Sequence, residues 1–145
     1  MEVLKQFIFS FLSTIGFAVL FSSPKESIGK SGFVGATGWV VYFLTYNLLQ
    51  GKVAGTFCAA LSVGILGEIL ARYYKKPATV YIIPGIVPLV PGAGMYYTML
   101  ALVEKDFLMA ANTGTETLFI AASISVGIII STTLSKSIKR VRQKD

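Results

Sequence analysis

The chain has 145 residues, 54% of them hydrophobic and only 14% charged, with a mean hydropathy of +0.69 and a net charge of +6. A soluble domain carries about 25% charged residues, and the charges here gather at the ends of long uncharged runs, which excludes a water-soluble bundle with wet, charged faces. With no histidine and one cysteine, Cys58, the chain excludes an internal disulfide and a zinc site of the usual ligands, and no cofactor is expected.

The first predicted element is a span at about residues 6–21. Residues 1–21 have the length of a signal peptide, but Lys5 is offset by Glu2 and the run Phe21, Ser22, Ser23, Pro24 is a poor cleavage site, so a retained span is expected. Ser22–Lys30, with Pro24 and three charges, reads as a loop. Span two covers about 31–49 and ends at a tight turn of Gln50, Gly51 and Lys52; span three covers about 53–71 and leads into a basic loop with Arg72, Lys75 and Lys76. A fourth apolar segment, about 77–103, ends at Glu104, Lys105 and Asp106, and span five covers about 117–134. Several of these runs reach the ~20 residues a helix needs to cross the hydrocarbon core. The expected fold is therefore all-α and integral to the lipid bilayer, with about five transmembrane helices in a single transmembrane domain, residues 1–145. Cys58 lies in an apolar run and reads as a small packing residue.

Basic residues decide the expected topology. If all five segments cross, one side receives Lys25, Lys30, Arg72, Lys75, Lys76, Lys136, Lys139, Arg140, Arg142 and Lys144, and the other only Lys5, Lys52 and Lys105. If the fourth segment dips in and returns, the bias vanishes. The positive-inside rule therefore favours five crossings, with the N-terminus outside and the C-terminus cytoplasmic. It also accounts for the net positive charge without any nucleic acid.

The fourth segment carries the densest signal. Pro84, Pro88 and Pro91 each lack an amide N–H and would each cost ~3 kcal/mol in a continuous helix. Gly85, Gly92 and Gly94 lower helix propensity further. The segment should break into a short helix at Ala78–Ile83 and a half-helix at Met95–Val103, about 14 Å long. Such a break presents free amides and a positive dipole end inside the membrane, where a carboxylate can dock. Gly92, Ala93 and Gly94 would offer those amides, with Pro91 suited to the first helical position. The plainer reading is a structural kink. Tyr96 and Tyr97 follow directly and either stack on a ligand or pack in the core.

Thr56, Ala60, Gly64 and Glu68 recur every four residues, so they share a small-residue helix face that turns Glu68 into the bundle. Arg72 is four residues on and within reach of an ion pair. Glu68 is then either half of a structural pair or a gate or proton site, since acids inside a membrane mark functional sites. Ser123, Gly127, Ser131 and Ser135 form a second such face, read as a packing seam. Asn112 and Glu116 near the outer end of span five read as solvated or as lining an outer vestibule, and Trp39, Tyr42, Tyr46, Tyr73 and Tyr74 read as interfacial anchors. No nucleophile–base motif, phosphate-cradling loop or pair of carboxylates on one helix argues for an enzyme.

Ala71-Arg72 through Lys75 and Pro77-Ala78, the run PGIVPLVPGAG from Pro84, Gly38-Trp39 and Thr115 together resemble the small half of the threonine/serine exporter family, over nearly the whole chain. The resemblance implies a multipass plasma-membrane exporter of threonine or serine in which a larger multipass subunit works with this smaller one. Members often carry an asparagine near the proline after span one, where this chain has Ser22 and Ser23 before Pro24. The expectation is a secondary exporter of small carboxylate-bearing metabolites working by alternating access. The alternatives are export of dicarboxylates, a subunit that only stabilises a transporting partner, and a membrane enzyme.

Overall fold

The computed structural model describes residues 2–142, all of them helix or short connection. Six helices follow in order: α1 Glu2–Leu20, α2 Lys25–Leu49, α3 Lys52–Tyr74, α4 Thr79–Ile86, α5 Gly92–Val103 and α6 Phe107–Arg142, with a 3-10 turn at Val87–Leu89. Helix is what a bilayer demands, because its core offers backbone groups no water to bond. Four helices are long and apolar enough to span, and α4 with α5 make a fifth, bent by 51° at the break.

The burial pattern is that of a protein dissolved in lipid. Phe9, Leu20, Leu48 and Leu118 are more than 70% exposed, while Thr14, Ser27, Ser31 and Ser131 are buried. With an apolar solvent there is no gain in hiding large apolar side chains, so helices meet through small residues that let backbones approach. On α1 the buried face is Ser10, Thr14 and Ala18, one residue per turn. It meets α2 at Gly35, where an added Cβ would collide with Thr14 Oγ1, while Gly32 makes room for Ile15 and Phe11 of α1. Most of these buried hydroxyls bond back along their own helix, as Thr14 Oγ1 does to the Ser10 carbonyl at 2.8 Å.

α3 is the central helix. It packs on α6 along one side and on α2 along the other; α1 packs on the far side of α2, α4 lies against α2 and α3, and α5 packs on α6. The α3–α6 seam is parallel: Ala60 faces Gly127, Gly64 faces Ser131, and Glu68 bonds Ser135. Two parallel neighbours require an odd number of crossings between them, which the bent fourth span supplies. From Lys52 to Arg72, α3 runs about 30 Å, the thickness of the hydrocarbon core.

The helices extend past the uncharged runs that signalled them. The expected loop Ser22–Lys30 gives way to a four-residue connection, 21–24, because α2 begins at Lys25 with the Ser27 N–H on the Pro24 carbonyl at 2.7 Å. Its charges are held at the membrane surface instead. Glu26 pairs with Lys76 at 2.8 Å, and the Lys30 ammonium sits 3.4 Å from the centre of the Tyr74 ring. α6 likewise starts at Phe107, ten residues before the expected span. Of the basic tail, Lys144 and the side chains of Lys136, Lys139, Arg140 and Arg142 lie outside the described residues.

Candidate functional site

The prolines of the fourth span break its hydrogen-bond ladder, and each broken rung finds a substitute. Pro84 cannot donate to the Val80 carbonyl, so that oxygen accepts from Ser31 Oγ of α2 at 3.0 Å. Pro88 leaves the Pro84 carbonyl, which accepts the Val87 N–H in a tighter turn. Pro91 leaves the Val87 carbonyl, which accepts the Val90 N–H at 3.2 Å. No orphaned carbonyl remains from the three prolines, as buried backbone requires. Beneath the first of them, the fully buried Tyr81 hydroxyl accepts from Ser27 Oγ at 3.4 Å.

The candidate substrate residues of this span fall into two groups. Pro84 and Gly85 are buried in the core, where a Cβ on Gly85 would lie 3.0 Å from Val34 Cγ1 and 3.1 Å from Val63 Cγ1. Both pack against α2 and α3, and Pro84 also edges a cleft beside the α1–α2 turn. Pro88 is half-buried beside a cleft of about 240 Å3 lined also by Gln6, Ser10, Ser13 and Trp39, and the Trp39 indole N–H donates to Gln6 Oε1 at 2.7 Å. Gly92 and Ala93 are exposed, and Gly94 packs on Thr117 of α6. Pro91 caps α5 rather than opening it, and the Gly92 N–H turns back to the Val90 carbonyl at 2.8 Å. The Ala93 and Gly94 amides are left at the open N-terminus. Tyr96 and Tyr97 contact each other edge to face at 5.4 Å and are 63% and 51% exposed, outside the core of this chain.

Glu68 and Arg72 form the second group. Both reach α6 instead of each other. Ser135 Oγ donates to Glu68 Oε2 at 2.8 Å, and Arg72 donates to the Ser135 carbonyl and hydroxyl. The hydroxyl joins an acid and a base that the helical spacing placed side by side. Eighteen residues of α6 separate Ser135 from Thr117, the neighbour of Gly94, so the two groups stand about 27 Å apart along one helix.

Three further polar features had no local signal in the sequence. Lys52 pairs with Glu116 at 2.9 Å, beside Thr117 and level with the turn between α2 and α3. Ser31 compensates Pro84, and Ser135 bridges Glu68 and Arg72. At the end where Lys25 and Lys76 lie, a cleft of about 220 Å3 opens between the α1–α2 turn and α4, lined by Ser22, Ser23, Thr79 and Pro84 among others.

The family described as "Threonine/Serine exporter, ThrE" matches residues 6–134. The chain is 27% identical over 129 residues to a threonine/serine exporter of Corynebacterium glutamicum, covering 89% of this chain and 26% of that protein. It is 26% identical over 104 residues to an uncharacterized protein of Haemophilus influenzae, covering 72% of this chain and 35% of that protein. The chain thus spans about a quarter to a third of the length of these curated relatives. No solved structure matches it.

Proposed function

Because the chain belongs to the threonine/serine exporter family, we propose that it is the small subunit of a secondary exporter of threonine, serine or similar small carboxylate-bearing metabolites. The observation that carries this reading is the broken fourth span, whose two halves meet at 51° and leave the α5 amides of Ala93 and Gly94 open. Interrupted helices in transporters use such ends to hold anionic groups. The substrate carboxylate docks there, with Tyr96 and Tyr97 completing the site against a larger multipass partner. That partner supplies the remainder that the longer relatives carry in one polypeptide. Glu68, with Arg72 and Ser135, is a gate or proton site at the cytoplasmic end, and alternating access moves substrate between the two ends. The N-terminus and the Lys52 end face outward and the C-terminus faces the cytoplasm, which keeps most Lys and Arg inside.

The test is gradient-driven export of labelled threonine or serine from liposomes holding this chain, the partner, or both. Export that needs both supports the two-subunit reading, and export by this chain alone sinks it. In the working pair, Glu68→Gln keeps size and hydrogen bonding but cannot release a proton. It is expected to reach normal membrane abundance and to lose at least tenfold in rate. Full export by Glu68→Gln reduces Glu68 to a packing role.

A further inference from the structure

The α3–α6 seam is closed by a different device at each end. Along its length the backbones touch: a Cβ on Gly127 would lie 3.0 Å from the Phe57 carbonyl oxygen and 3.1 Å from the Leu61 nitrogen. At the Glu68 end, two charged side chains share one residue, Ser135. At the other end a single ion pair, Lys52 Nζ to Glu116 Oε1 at 2.9 Å, joins the helices, with side chains 50% and 47% exposed. A half-exposed pair of this kind adds little to stability. It breaks at small cost, and just behind it a cleft of about 630 Å3 lies between the helices, lined by Ala54 and Phe57 of α3 and Phe119 and Ser123 of α6. One turn inward lies Thr56, 2% exposed, its hydroxyl on the Lys52 carbonyl at 2.8 Å. Gly55 beside it leaves room for the Tyr42 ring, which stacks on Tyr46.

We propose that Lys52 and Glu116 are the outer gate of this subunit, closed in the present structure, and that a zwitterionic amino acid is the ligand that opens it. This rests on the export reading above. The chemistry is one of exchange. The substrate carboxylate takes the place of Glu116 on the Lys52 ammonium, and the substrate ammonium takes the place of Lys52 on the Glu116 carboxylate. Each charge keeps a partner throughout, so the gate opens without stranding an ion. A dicarboxylate or a simple monocarboxylate satisfies Lys52 but leaves Glu116 alone, so the gate discriminates by requiring both signs on one small molecule.

The experiment uses the full complex in liposomes, in a Cys58→Ala background. Val53→Cys and Phe119→Cys, one on each helix in the lining of the cleft behind the pair, are joined by a reducible bifunctional thiol reagent. Cross-linking is expected to lower export at least tenfold, and reduction to restore it; export at full rate while cross-linked overturns the gate and leaves a static strut. A second measurement does not depend on that variant being active. Thr56→Cys is exposed to a membrane-impermeant maleimide with serine, with acetate or with neither. Labelling is expected to rise at least threefold with serine only, and labelling that ignores serine, or rises equally with acetate, overturns the proposal. If the unmodified complex exports nothing yet Thr56→Cys labelling still responds to serine, the export reading fails while the gate stands.

Discussion

The two halves of the fourth span share a sequence style but not a surrounding. α4 lies against α2 and α3, with Tyr81, Ile82, Pro84 and Gly85 buried. α5 packs on α6, and of its twelve residues only Ala101 is buried. Proline-glycine runs on both sides of one break therefore do different things. In α4 they permit close approach and are repaired by neighbours, whereas in α5 they release a helix end and leave most of the helix uncovered by the described residues. A composition rich in helix breakers tells where a ladder is interrupted, and only the packing tells which side of the interruption is fixed.

The comparison is broken most directly by adding bulk to one glycine in each half. Gly85→Leu drives a branched side chain into Val34 and Val63 and is expected to cost about 3 kcal/mol or more, with loss of the protein from the membrane. Gly92→Leu meets nothing within 4 Å and should stay within about 0.5 kcal/mol of the parent. Unfolding in mixed detergent micelles measures both, and equal losses would erase the distinction between the halves.

A smaller effect tests the repair of α4. Ser31→Ala strands the Val80 carbonyl and is expected to cost about 1–3 kcal/mol. Pro84→Ala returns an N–H to the same oxygen, so the double variant should be more stable than the sum of the two losses by at least ~0.5 kcal/mol. Simple additivity would show that the Ser31 contact compensates nothing.

The smallest effect belongs to the α5 side. Lys105 ends the helix in the left-handed region at φ 61, and the Asp106 N–H closes on the Ala101 carbonyl at 2.9 Å. Glycine takes that conformation without a Cβ penalty, so Lys105→Gly is expected to gain about 0.5–1 kcal/mol in the same unfolding assay. A loss would mean that the lysine side chain contributes more than its backbone costs.

Much of this architecture is legible in the sequence. The uncharged runs mark the spans because lipid leaves charges nowhere else to go. The four-residue repeat of Thr56, Ala60, Gly64 and Glu68 marks the face that α6 covers, and the Ser123, Gly127, Ser131 and Ser135 repeat marks the face that covers it. Pro84–Gly94 marks the region of the break, which is narrower than expected: α4 runs on through Pro84 to Ile86 instead of ending at Ile83, and α5 begins at Gly92 instead of Met95, because each lost backbone bond finds a substitute. What stays hidden is long-range. Lys52 and Glu116 meet across 64 positions, and Ser31 meets Val80 across 49, so no local period connects them. The helical spacing of Glu68 and Arg72 points to an ion pair, but a tertiary hydroxyl competes for both and wins. The α2 start at Lys25 is missed because charges read as loop, although a helix that begins at the membrane surface accommodates them in its first turns.

The one-sided packing of α5 also sets an order of assembly. A chain inserted from its N-terminus has α2 and α3 in place when α4 arrives, so that half docks at once. The surface that α5 requires belongs to α6, which is synthesised later. Until then the second half of the span is an orphan of about three turns, too short to hold a place across the bilayer. Segment four therefore matures in two stages. Its second stage waits on the emergence of segment five.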